Sequence, residues 1–127
     1  MRKSVAALAT VTVVAGGLAV TVGSAQADGP ERTKRTQCSG AKASLSLQQK
    51  KSGRIEAEFE VEHAAPGSSW GVRIKHNRNT ILRTQRRADD EGEWDATRSV
   101  RGAAGKDVFV ARAIAPTGQV CRLKLGI

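Results

Sequence analysis

Few side chains in this sequence could move a proton or attack a bond. His63 and His76 are the only histidines, and there is no tyrosine. His63 follows Glu62 at the end of an alternating run, and His76 stands at the edge of the turn-like stretch His76-Asn77-Arg78-Asn79. A histidine beside an acid and a hydroxyl can serve as a general base, wherever the three lie in the chain. Neither histidine belongs to a nucleophile signature such as G-x-S-x-G. A basic exported ribonuclease would need Glu, His and Arg around a phosphate, and the absence of tyrosine and of helical periodicity argues against that class. The sequence points away from an enzyme.

Metal and sugar chemistry are equally thin. Asp89-Asp90-Glu91-Gly92-Glu93 offers oxygens of the kind Ca²⁺ takes, but it lacks the D-x-D-x-D-G register and reads as a solvated turn with a permissive glycine. The two cysteines and two histidines have no C-x-x-C or H-x-x-H spacing, so neither a metal nor a cofactor is expected. Trp70 and Trp94 could stack on sugars, yet they share phase with Val72 and Ala96, which assigns them to a core.

Charge is the remaining signal. Lys and Arg number 21 against 12 Asp and Glu, a formal net charge of +9. The acids cluster: in GRIEAEFEVEH, residues 53–63, Glu56, Glu58, Glu60 and Glu62 occupy every second position. Such spacing puts all four on one face of a strand and Ile55, Ala57, Phe59 and Val61 on the other. Cations fall elsewhere. Arg73, Lys75, Arg112, Arg122 and Lys124 all sit at polar phases of other alternating runs and form a candidate anion-binding face. Strand 80–87 adds Arg83 and Arg87, or Arg86 in the other phase.

The scaffold that must hold these residues has a period of two almost throughout. Alternation predicts strands at 41–48, 55–62, 70–75, 80–87, 94–101, 108–115 and 120–125, with Gly, Pro, Asn and Asp between them. Seven short strands without an amphipathic helix imply an all-β, antiparallel two-sheet sandwich of immunoglobulin or fibronectin III type; a small closed barrel is the alternative. In a fibronectin-like order the first, second and fifth strands share one sheet and the other four share the second. The glutamates then face away from the cations. Lys42, Lys50 and Arg101 are the cations expected beside the glutamates.

The N-terminal segment and the two cysteines lead to the expectation of an exported chain. Arg2 and Lys3, an apolar stretch over 5–22 and Ala25-Gln26-Ala27 make the three parts of a secretory signal peptide, with a retained transmembrane anchor as the rival reading. Residues 1–27 are thus expected to be cleaved, 28–37 to form a flexible basic arm and 38–127 the domain, with no membrane span after cleavage. Without Arg2 and Lys3 the basic count is 19 against 12, a net +7. Cys38 and Cys121 are the only cysteines, and in an exported chain they are expected to pair.

The W-x-V-x-I run from Trp70, the stretch Gly105-Lys106-Asp107-Val108-Phe109-Val110-Ala111 and the terminal P-T-G-x-V-C together resemble small secreted single-disulfide immunoglobulin-like sandwiches of high-GC Gram-positive bacteria. The 105–111 stretch is similar to the sixth strand of immunoglobulin-like domains. The cysteine positions depart from the immunoglobulin pattern, which joins the second and sixth strands. What the resemblance implies is a fold and a secreted location, not an activity.

The expected function is a secreted, non-enzymatic binding module. Its partner would be an anionic cell-wall polymer such as a wall teichoic acid, an acidic polysaccharide or protein, extracellular nucleic acid or anionic lipid. Sequence-specific nucleic-acid binding is disfavoured, because phosphate contacts are blind to sequence and no exposed aromatic is expected. An inhibitor of extracellular proteases, acting through a protruding loop at 64–69 or 102–106, is the second expectation. The basic face would in any case add solubility and repulsion between copies.

Overall fold

A strand that alternates apolar and polar residues can bury one face and wet the other, and this chain does so repeatedly. The computed structural model describes residues 29–127, and the expected signal segment lies outside them. Eight strands follow in order: β1 (Glu31–Cys38), β2 (Ala41–Gln49), β3 (Arg54–Glu62), β4 (Ser69–His76), β5 (Asn79–Arg87), β6 (Trp94–Arg101), β7 (Val108–Ile114) and β8 (Val120–Gly126). They make two antiparallel sheets of four, ordered β1-β2-β3-β6 and β5-β4-β7-β8. The chain is an all-β sandwich, and the seven expected strands divide between the sheets as the fibronectin-like order requires. Among the described residues, no helix is long and apolar enough to cross a membrane.

The eighth strand is a correction. Residues 31–37, expected within a mobile arm, belong to β1. Its only buried residue is Cys38, so hydrophobic burial does not explain it. Backbone pairing does: β1 runs in continuous register with β2 from Glu31↔Gln48 to Cys38↔Ala41. Arg32 and Lys34 stand opposite Leu47 and Leu45, which places them on the inward side. From there they reach across to the edge of the other sheet. Arg32 Nη1 donates to the Gly126 carbonyl at 3.1 Å, and Lys34 Nζ donates to the Lys124 carbonyl at 3.3 Å. The Cys38–Cys121 disulfide joins the same two strands, with Cα atoms 5.6 Å apart. Ser39 and Thr117 hydroxyls meet beyond it at 3.2 Å.

The opposite seam uses the same device. Arg86 stands opposite Trp70 on the inward side of β5, and its Nε donates to the Asp95 carbonyl of β6 at 3.0 Å. Unpaired strand edges invite pairing with other chains, and inward-pointing charges are one way proteins blunt them. Here the cations also satisfy edge carbonyls.

Between the sheets, Leu45, Leu47, Ile55, Phe59, Val61, Ile74 and Phe109 are the largest fully buried side chains. Trp94 packs edge-on to Phe59 at 5.4 Å and tilted against Trp70 at 6.0 Å, so both tryptophans lie in the core as their phase predicts. The tryptophan end is closed by the 88–93 turn. Gly92 has φ +80°, and a Cβ there would fall 2.2 Å from the Ala64 carbonyl oxygen, so only glycine fits.

Candidate anion-binding face

In β4, Trp70, Val72 and Ile74 are buried, which turns Arg73 and Lys75 outward. Burial of Phe109, Ala111 and Ala113 does the same for Val108, Val110, Arg112 and Ile114 on β7, and burial of Cys121 and Leu123 turns out Arg122 and Lys124 on β8. All five cations expected at this face are therefore on it.

Register then adds what phase alone does not give. Arg73 stands opposite Arg83 on β5 and opposite Arg112 on β7, and Arg112 stands opposite Arg122 on β8. Four arginines thus form one row across all four strands, about 4.8 Å from strand to strand. Arg83 and Arg87, not Arg86, take the outward phase. In the next outward row Lys75 faces Val110, and Val110 faces Lys124. Like charges directly opposite destabilise a sheet. No acid lies on the outward positions of these strands, and none of the five expected cations is in a salt bridge among the described residues.

Short valines between long cations make a concavity of about 880 Å³, lined by Arg73, Lys75, Val108, Val110, Arg122 and Lys124 among others. The hairpin turn at its end joins β4 to β5 through Asn77 and Arg78, with φ of 46° and 75°. Positive φ at both central residues suits the two-residue hairpin that matches strand twist. Asn77 is held there: its Oδ1 accepts from Val108 N at 2.8 Å and its Nδ2 donates to the Lys106 carbonyl at 3.2 Å. Arg78 keeps a left-handed backbone that glycine or asparagine would adopt at less cost, and its side chain lines the concavity. On the other side of the arginine row, Ile114 and Val120 pair across β7 and β8 and are 42% and 43% exposed.

The outer face of the other sheet carries the opposite sign. Lys42 stands opposite Glu62, and Lys50 Nζ lies 4.0 Å from Glu56 Oε1, as the sequence suggests. Arg101 does not face a glutamate; it stands opposite Arg54. In the middle of the face, Glu58 lies between Ser46 and Thr97, and Glu60 between Ser44 and Asp95. Partial burial first, then the neighbouring Glu62, Glu58, Glu93 and Asp95, raise the Glu60 carboxyl above its ordinary pKa.

The histidines part company. His63 is exposed, with φ 65°. His76 faces inward, stacks on Phe109 at 4.7 Å and meets Asp107, Nε2 to Oδ1, at 2.6 Å. Asp107 Oδ1 also accepts from Ala103 N at 2.8 Å, which ties down the 102–106 loop. Sequence reasoning missed this pair although phase marks it: His76 continues Trp70-Val72-Ile74, and Asp107 lies two residues before Phe109. In the acidic turn, Asp89, Glu91 and Glu93 are exposed and close enough to share a cation. Asp89 Oδ1 already accepts from Glu91 N and Glu93 N at 2.9 and 3.0 Å, so its nearest work is to close the turn.

Comparison with known proteins returns no match to a family model, a curated protein or a solved structure.

Proposed function

We propose that the protein is a secreted, non-enzymatic binding module that holds anionic partners on the outer face of the β5-β4-β7-β8 sheet. The observation that carries this reading is the row Arg83–Arg73–Arg112–Arg122. Four like charges placed opposite one another repel, and the fold supplies no acid on that face to offset them. An anion resting on the row would remove the repulsion and accept forked hydrogen bonds from the guanidinium groups. Arg78 supports the same reading, since a costly backbone conformation is kept beside the concavity. Secretion is supported by the three-part N-terminal segment and by the disulfide, which persists in oxidising compartments.

The test is retention on an immobilised polyanion. The variant Arg73→Ala/Arg112→Ala/Arg122→Ala should elute at distinctly lower salt than the parent. A control, Arg35→Ala/Arg98→Ala/Arg101→Ala, removes equal charge from the other sheet and should elute near the parent. Equal shifts for both variants would mean that net charge alone governs retention, and the face would lose its assignment.

A further inference from the structure

The concavity has a direction as well as a sign. Val108 and Val110 form its floor along β7, while β4 raises Arg73 and Lys75 on one side and β8 raises Arg122 and Lys124 on the other. The flanking strands lie about 10 Å apart, and successive cations along each wall about 7 Å apart. This is a trough of single-chain width.

We propose that the trough takes one extended chain of a phosphodiester polymer, lying parallel to β7. The proposal rests on the reading of this face as an anion-binding surface and names the class of anion. A phosphodiester carries its charge on the polymer backbone itself. Its two free oxygens point to opposite sides, so a guanidinium or ammonium from either wall can hold it. The linking carbons then lie over the valines. Arg112, standing in the floor where the arginine row crosses it, meets the chain from below.

Other occupants fit less well. Recognition of bases relies on aromatic platforms, and the floor is aliphatic, so the trough reads charge and width without reading bases. A duplex presents its phosphates on a cylinder too broad to descend between the walls. Carboxylates of an acidic peptide sit on side chains, which would leave its polar backbone over the valines without partners. The headgroups of a bilayer form a plane that rests on the cation tips and leaves the floor empty.

The experiment uses fluorescence anisotropy with an end-labelled oligomer of abasic deoxyribose phosphate, and compares a thymidine oligomer of equal length, a duplex, polyglutamate and vesicles containing anionic lipid. The two single chains should bind within twofold of each other, and the other three at least tenfold more weakly. Six cations lining the trough should give a slope of log affinity against log salt of about 4 in magnitude. Val110→Phe leaves charge unchanged but fills the floor, and should weaken binding of the abasic oligomer, which has no base to stack on the new ring, about tenfold. Lys75→Gln/Lys124→Gln, on the solvent face, should lower the slope by about 1.4.

If the duplex, polyglutamate or vesicles bind as tightly as the single chains, the assigned occupant is wrong while the anion-binding face stands. If Val110→Phe and the lysine variant both leave binding unchanged, the chain binds elsewhere and the trough loses its assignment. If no polyanion binds, the face itself is wrongly assigned.

Discussion

The His76 ring and the Asp107 carboxylate meet at 2.6 Å inside the sandwich, and this contact joins the end of β4 to the start of β7. Asp107 is the buried charged residue among the described ones, at 5% exposure. Through Ala103 N it also anchors the 102–106 loop. Removing one partner of a buried polar pair strands the other without compensation, whereas removing both can be nearly neutral. Asp107→Ala should therefore cost about 3 kcal/mol. The double variant His76→Phe/Asp107→Ala should recover a large part of that loss. Denaturant midpoints for the two variants check this, and a double variant weaker than the single would contradict it.

Glu60 predicts a pH effect of definite sign. Its carboxyl is raised in the folded state, so the folded chain binds that proton more tightly than the unfolded chain does. Stability from this group therefore falls as pH rises from the ordinary carboxylate value through the raised one. Glu60→Gln should melt higher than the parent at neutral pH, and the two curves should converge below about pH 4. Melting temperature against pH measures it. A gap that persists into acid would point to another cause.

Arg78 holds φ 75° where glycine has no steric penalty. Arg78→Gly should stabilise the fold by about 1 kcal/mol. Polyanion affinity should fall, because the side chain lines the trough. Unfolding and binding measured on one preparation show whether stability and affinity move in opposite directions.

The disulfide closes an 83-residue separation, and its loss should cost up to about 4 kcal/mol. The loss should be local before it is global. Without the bond, β1 keeps its ladder to β2 and the exposed contacts of Arg32 and Lys34, but no buried anchor. In Cys38→Ser/Cys121→Ser, hydrogen exchange should accelerate first at residues 31–38, with β3 and β4 still protected. Uniform acceleration would mean that the bond stabilises the whole fold evenly.

Alternation was enough to find β2 to β8, because each buries one face and wets the other. It could not find β1, whose inward positions hold Arg32 and Lys34 instead of apolar residues. That strand exists because its backbone pairs with β2 and its cations meet carbonyls of β8, and neither partner is visible from local pattern. Phase placed Arg73, Lys75, Arg112, Arg122 and Lys124 on one face. The assembly of Arg83, Arg73, Arg112 and Arg122 into a row depends on cross-strand register, which no single strand encodes. The β4–β5 register even shifts between Ile74 and Lys75. The Glu60 environment was half legible: the glutamates were plain, but Asp95 arrived only through the pairing of β3 with β6.

The two sheet faces, glutamates on one side and arginines on the other, also make the molecule an electrical dipole along the sheet normal. In the field of a large polyanion such a body feels a torque as well as a pull. It turns its arginine side forward before contact, which narrows the rotational search and speeds productive encounter. Under the proposed anion binding, the glutamate ladder would thus bear on the kinetics of capture from the side turned away from the captured chain.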